Sequence, residues 1–408
     1  MEALTYSTVA VTMGLVVTRP RISPKLRLTP ATAALAGVAV LTALGSVHVA
    51  DIGWAAQTMW RPLLGIVSIM IMTGVARRMG VLDGIAEIIF RRVARSGASL
   101  FAAVFAFGTL TAAVLNNDSA ILLLTPLIVD IARRKRPDLV VPLAFAVFLS
   151  AGVAPLVVSN PMNMVVASYA HIGFNDYARA MALPALAGCL ATFATAFFLF
   201  RRELAASKAA PPGEAPLAPL RGLRLVTLLA LGAVVAAYPV VSYFGGPVWI
   251  VAFVGALLLL AIGRVAGAST KDVVKDGIHL DTLVFLVAAL ILSIGLRNEG
   301  IVERLSSLYQ GAGAMRVGLI SAGGSALLNN HPMSHLNMFA LGHHGGTSVL
   351  AALIGGDLGP RLFPMGSLAG LLWLEMLRRS GVVLPMRRFL IVGAVATLPA
   401  LVVSLAAL

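Results

Sequence analysis

The sequence predicts an all-α polytopic membrane protein made of two inverted-topology repeats, each with a re-entrant hairpin and a discontinuous transmembrane helix. Three observations predict it. First, the chain is 59% hydrophobic and only 12% charged over 408 residues, which is more apolar surface than a soluble domain can bury. The apolar stretches are unbroken runs of helical length rather than the alternating pattern of a membrane β-barrel. Second, Ala113-Val114-Leu115-Asn116-Asn117 returns as Ala326-Leu327-Leu328-Asn329-Asn330, and each copy ends a run of small and apolar residues. Amides in hydrocarbon are costly without partners, so two such pairs point to one shared site. Third, each copy is followed by a long apolar segment that proline interrupts, at Ser159-Asn160-Pro161-Met162-Asn163 and again from Gly359-Pro360 to Ser367.

Charge placement orients the chain. The net charge of +14 is concentrated in clusters between apolar runs: Arg19 to Arg27, Arg77 to Arg95, Arg133 to Arg136, Arg201 to Arg224, Arg264 to Lys275 and Arg378 to Arg388. Only Arg61, Arg179, Arg297, Arg304, Arg316 and Arg361 lie elsewhere. That is the positive-inside pattern, with the clusters cytoplasmic, so the charge is topological and nucleic-acid binding is excluded. The single cysteine, Cys189, rules out an internal disulfide framework and a multi-thiolate metal site. Residues 8–17 resemble a signal-peptide core, but no basic residue precedes them and no small-x-small site follows before Arg19. They read as a retained first helix.

Taken in order, residues 1–30 form the first helix and a basic loop. The first repeat covers 31–200. Residues 31–50 cross outward and 61–79 return, each about long enough to span. Arg77 to Arg95 reads as an amphipathic helix on the inner surface. Residues 99–132 are apolar around Asn116-Asn117-Asp118-Ser119 and have basic flanks on both sides, so they form a hairpin entering from the cytoplasm. Residues 139–170 are too long for one span, and the helix unwinds at Pro161, which lacks a backbone donor and disfavours helix in the residue before it. Residues 178–200 cross back. A Pro/Gly-containing cytoplasmic linker at 201–222 and an extra helix at 223–246 lead to the second repeat, 247–408. There 247–266 and 280–296 are spans, 313–345 is a hairpin entering from outside, and 348–376 is a second broken helix with Gly355-Gly356-Asp357 in its middle. Hairpin then broken helix, repeated from opposite sides, is the architecture of secondary transporters with a midplane site.

Several stretches resemble the ArsB-type arsenite/antimonite efflux permeases of the ion transporter superfamily. They are Asn117-Asp118-Ser119-Ala120, Val158-Ser159-Asn160 with Asn163, Leu328-Asn329-Asn330 with Pro332, and above all Gly356-Asp357-Leu358-Gly359-Pro360 with Pro364-Met365-Gly366-Ser367-Leu368-Ala369. The resemblance covers nearly the whole chain, including the loop His48 to Ile52. It implies a scaffold plus a transport domain, export of trivalent metalloid hydroxide across the inner membrane, and coupling to inward proton movement. It also admits a cytosolic arsenite-stimulated ATPase as partner. Two positions depart from relatives: Gly356 stands where some carry cysteine, and His331 where others carry methionine or another residue.

The residues suit that chemistry without the name. Arsenite at neutral pH is mostly an uncharged tris-hydroxide, and amides and hydroxyls both donate and accept hydrogen bonds. Asn116, Asn117, Ser119, Ser159, Asn160, Asn163, Asn329, Asn330, His331, Gly366 and Ser367 are the expected surroundings of the solute. The half-helix N-termini add oriented backbone donors. Proton coupling needs a group that can change charge. Asp118 is best placed and Asp357 second, unless Arg361 holds the latter ionised.

Plainer readings compete. The asparagine pairs also suit interhelical glue, and Asp357 suits a helix cap. His331 and His335 have helical spacing, but Pro332 lies between them and no acid is adjacent, so neither a metal nor another cofactor is expected. His343-His344 reads as an exposed loop and the methionines as packing. A Na⁺-coupled carboxylate carrier or Na⁺/H⁺ antiporter is the alternative within the superfamily, but it calls for a Ser-Asn-Thr tip or more intramembrane acids. An aspartyl intramembrane protease would show Gly-x-Gly-Asp, and position 354 is isoleucine, so an enzyme is not expected.

Overall fold

Hydrocarbon offers no partners to a backbone, so each spanning segment must satisfy its own N–H and C=O groups, and helices dominate. The structure, a computed structural model, describes residues 1–23, 26–93, 96–207, 222–342 and 346–408. Helix α1 (Glu2–Thr18) leads through a short antiparallel pair, β1 (Arg21–Ser23) and β2 (Leu26–Arg27), to α2 (Pro30–Ala43) and α3 (Val49–Arg78). Helix α3 begins well before the expected residue 61. Asp51 accepts a hydrogen bond from the His48 N–H at 2.9 Å and is met by Arg297 at 3.6 Å and Asn298 at 3.3 Å, so the polar His48–Asp51 stretch starts a helix rather than a loop.

After Gly80, at φ 65°, comes α4 (Val81–Ile88), continued by a π-turn over Ile89–Val93. Then follow α5 (Gly97–Leu115) and α6 (Asn117–Lys135), α7 (Val140–Ser150) and α8 (Pro161–Tyr169), and α9 (Phe174–Ala206). Residues 201–206 therefore continue α9, and most of the expected linker, 208–221, lies outside the described residues. Next come α10 (Leu223–Tyr243), α11 (Val248–Val265), α12 (Thr270–Gly277) and α13 (Leu280–Asn298). The chain then repeats its earlier order. Gly300, at φ 85°, precedes α14 (Ile301–Tyr309); α15 (Ala314–Leu328) and α16 (Asn330–Leu341) form the second hairpin; α17 (Thr347–Leu358) and α18 (Leu368–Arg379) are the halves of the second broken helix; α19 (Met386–Ala406) closes the chain. His343 and His344 lie outside the described residues.

Seven of these helices are long and apolar enough to cross a membrane, and the chain is an all-α polytopic membrane protein. Packing links the two halves. Helix α2 lies on α13, and α11 on α3; α6 contacts α18, α8 contacts α16, and α9 runs along α19. Each hairpin thus leans on the far half of the other repeat's broken helix. An aromatic chain ties α5, α7, α9 and α18 together: Phe101 lies against Phe193 and Phe200, Phe200 against Phe145, and Phe148 stacks on Trp373 at 4.6 Å. Such pairs add about 0.5–1.5 kcal/mol each beyond their buried area.

Both breaks differ from expectation in extent. The first opens at Ala151 rather than at Ser159, and residues 151–160 hold only one short 3₁₀ turn, Val157–Ser159. Gly152 and Pro155 explain this, since one favours no helix and the other lacks a donor. The second break spans residues 359–367, and Gly355, Gly356 and Asp357 belong to α17. Gly355 is held there by packing: a Cβ on it would sit 2.2 Å from the Gly318 carbonyl oxygen of α15, so only glycine allows the two helices so close.

Candidate functional site

The hairpin tips are strained in the same way. Asn116 has φ 74°, ψ 156° and Asn329 φ 86°, ψ 145°, a region that glycine alone occupies easily and that costs on the order of 1–3 kcal/mol for other residues. Each asparagine offsets part of this by capping the helix that follows. Asn116 Oδ1 accepts from the Ser119 N–H at 2.8 Å, and Asn329 Oδ1 from the His331 N–H at 3.3 Å. Each tip is also tied to the break of its own half: Asn117 Nδ2 donates to the Gly152 carbonyl at 3.1 Å, and Asn329 Nδ2 to the Met365 carbonyl at 3.2 Å.

The second half-helices start with side-chain caps too. Asn160 Oδ1 accepts from the Met162 N–H at 3.0 Å, opening α8, and Ser367 Oγ from the Gly370 N–H at 2.9 Å, opening α18. The N-termini of α6, α8, α16 and α18 therefore converge. Around one cavity of about 30 Å³ stand Asn117 and Asp118 of α6, Asn160 of α8, Asn330 of α16, Ser367 and Ala369 of α18, with Phe148, Asp357 and Arg361 completing the wall. That volume accommodates a small solute or about two waters. Four positive helix ends favour an anion or hydroxyl oxygens there.

The two acids of the site differ in their surroundings. Asp357 is buried and accepts three hydrogen bonds: from the Ala154 N–H at 2.8 Å, Asn160 Nδ2 at 2.6 Å and Asn163 Nδ2 at 3.2 Å. Asn163 also donates to Tyr177 Oη at 2.6 Å, and that hydroxyl donates to the Ala154 carbonyl at 3.2 Å. An acid of the second half thus holds the unwound backbone of the first. Asp118, half-buried, has no hydrogen-bond or ion-pair partner among the described residues. The sequence suggests Arg361 as counter-ion to Asp357; the two stand on one cavity wall and feel each other's charge, without a direct ion pair among the described residues. Its guanidinium instead donates to the Leu149 carbonyl at 2.7 Å and to Thr192 Oγ1 at 3.3 Å, where the C-terminal end of α7 offers a free carbonyl and negative dipole.

Of the residues expected around the solute, Asn117, Asn160, Asn330 and Ser367 line the cavity together with Asp118 and Asp357. Six lie behind it. Asn116 and Asn329 cap their hairpins; Ser159 Oγ donates to the Ala113 carbonyl at 2.8 Å; Asn163 is taken up by Tyr177 and Asp357. His331 packs edge-on to Phe285 of α13, 5.6 Å between ring centres, and Gly366 lies against the Pro360 backbone. Ser119 lines a neighbouring cavity. Sequence reasoning missed Tyr177 and Thr192 of α9, a helix that holds neither copy of the duplicated phrase nor a break, and the apolar wall of Phe148 and Ile121.

The family model for the arsenical pump membrane protein, ArsB, matches residues 7–408. The chain belongs to the ArsB family. Arsenical pump membrane proteins of Escherichia coli and Yersinia enterocolitica are each 28% identical over 388 residues, with 89% of both chains covered. A putative arsenical pump membrane protein of Bacillus subtilis is 28% identical over 385 residues, covering 84% of this chain and 86% of its own. Among solved structures, the YdaH transporter of Alcanivorax borkumensis superposes with a TM-score of 0.57 at 17% identity, covering 99% of this chain and 96% of that one. That likeness is one of fold. As an ArsB protein the chain is a membrane transporter rather than an enzyme.

Proposed function

We propose that this ArsB protein exports the trivalent metalloid hydroxides arsenite and antimonite across the inner (plasma) membrane, by antiport with protons and an elevator-type motion. The cavity at the four converging helix N-termini carries the reading. Asn117, Asn160, Asn330 and Ser367 present amide and hydroxyl groups to it, matching a neutral solute whose hydroxyls both donate and accept. Asp118 lines the same cavity with no protein partner among the described residues, so its charge is free to change when a solute or a proton arrives. Asp357, engaged three times over, is the fixed acid and Asp118 the proton carrier.

Inverted repeats supply the motion. With the basic clusters cytoplasmic, the first hairpin is re-entrant from inside and the second from outside, and their tips meet at the midplane. Helices α2, α3, α11 and α13, packed on one another, serve as scaffold, while the hairpins and broken helices move against them and expose the cavity to each side in turn. A cytosolic ATPase partner would dock on the basic ends of α6 and α18, although proton antiport needs none. Everted membrane vesicles with an acid lumen should accumulate arsenite and antimonite but not succinate. Uptake driven equally well by Na⁺ without a proton gradient, or preference for succinate, would favour the carboxylate-carrier alternative.

A further inference from the structure

A second cavity, of about 10 Å³, also borders Asp118. Its wall includes Met70 of α3, Leu122 of α6, His279 at the N-cap of α13, Thr282 of α13, and Leu372 of α18. Asp118 and Ala369 border both cavities, and among the described residues Asp118 is the only titratable one that does. The second cavity lies toward the basic ends of the helices. Helices α3, α6 and α18 run past it to Arg77, Arg133 and Arg378 respectively, and α13 begins beside it. From Leu372 to Arg378 is roughly 9 Å along α18 at 1.5 Å per residue.

We infer that His279 is the cytoplasmic proton port of Asp118, taking up the proton that the carboxylic acid releases toward the cytoplasm and passing it to bulk water. The inference rests on the proton-antiport reading. The step balances without any other reagent: the Asp118 O–H bond breaks, an imidazole N–H forms through one intervening water, and the imidazolium then returns that proton to cytoplasmic water. A cavity of this size is about right for a single water. Besides Asp118 and His279 its walls are the hydroxyls of Ser119 and Thr282 and the apolar Met70, Leu122, Leu368, Ala369 and Leu372, so His279 is the one wall residue other than Asp118 that can take on a proton's charge and hand it onward. The charged groups around His279 agree with a transient carrier. Arg77 faces it from α3, Arg78 is turned to Asp272 at 3.8 Å, and Asp281 on its own helix accepts from the Ala31 N–H at 3.3 Å. Burial first, and then Arg77, push the imidazole below its ordinary pKa. It therefore rests neutral at pH 7 and gives up an acquired proton readily.

The test uses purified full-length protein in liposomes, with proton-driven arsenite transport followed against arsenite concentration. His279→Ala and the isosteric His279→Gln should each lower the maximal rate about a hundredfold, the lower end of the scale of a lost proton-transfer group, with arsenite KM unchanged. Added imidazole should restore the rate of His279→Ala. A misfolded variant gains nothing from imidazole, which separates a lost relay from lost structure. Variant rates equal to wild type, or a loss that imidazole leaves in place in both variants, overturn the inference. Wild-type protein without any proton-driven transport would instead overturn the antiport reading beneath it.

Discussion

Asp118 and Asp357 stand on the wall of one cavity, yet their neighbours assign them different work. Asp357 receives a backbone N–H and two asparagine amides, and so ties α17 of the second half to the 151–160 break and the start of α8 in the first. Removing the carboxylate in Asp357→Ala strands three buried donors, so it should destabilise the protein by about 3 kcal/mol or more. Asp357→Asn keeps one acceptor and should lose less. Thermal unfolding of the detergent-solubilised protein measures both, and an unchanged midpoint for Asp357→Ala would show that these bonds hold nothing together. The sequence marks Asp357 as important and offers Arg361 as its partner; the two share the cavity wall and each other's field without a direct ion pair, and the hydrogen bonds of Arg361 go to the carbonyl of Leu149 and to Thr192. Chain separation of that kind leaves no trace in local pattern.

The hairpin tips are the most legible elements, because a polar pair that twice ends an apolar run is costly in hydrocarbon unless both copies meet at a shared polar site. What the sequence does not reveal is how each pair divides its labour. One member caps and the next faces the cavity: Asn116 and Asn329 turn back onto their own helices, while Asn117 and Asn330 point to the shared space. The reason is conformational, since a residue at φ near 80° must turn its side chain where a cap is needed, and dihedrals are not written in composition. At Asn116, glycine removes the strain and loses only a few tenths of a kcal/mol of capping, whereas alanine keeps the strain and loses the cap. Asn116→Gly should therefore keep thermal stability within about 1 kcal/mol of wild type, and Asn116→Ala should cost about 1–3 kcal/mol. Equal effects from the two would contradict the strained geometry. The broken helices are legible in place but not in extent, because Gly152 and Pro155 open the first break earlier than Pro161 alone implies.

Across the whole chain, the repeated order of elements is readable from hydropathy, prolines and basic clusters, all of which act locally. The crossed packing, α6 with α18 and α8 with α16, is not, although it is what gathers four helix N-termini from both halves around one small cavity. That gathering also sorts the eleven residues expected around the solute into those that meet it and those that hold the wall. On the antiport reading, Asp118 is the group whose proton is exchanged for metalloid hydroxide. The most direct test is proton movement itself, followed by a pH-sensitive dye inside liposomes holding the purified protein when arsenite is added outside. Wild-type protein should move protons out as arsenite enters, and Asp118→Asn should carry arsenite down its gradient with no proton signal. Arsenite-linked proton movement that survives in Asp118→Asn would contradict the assignment.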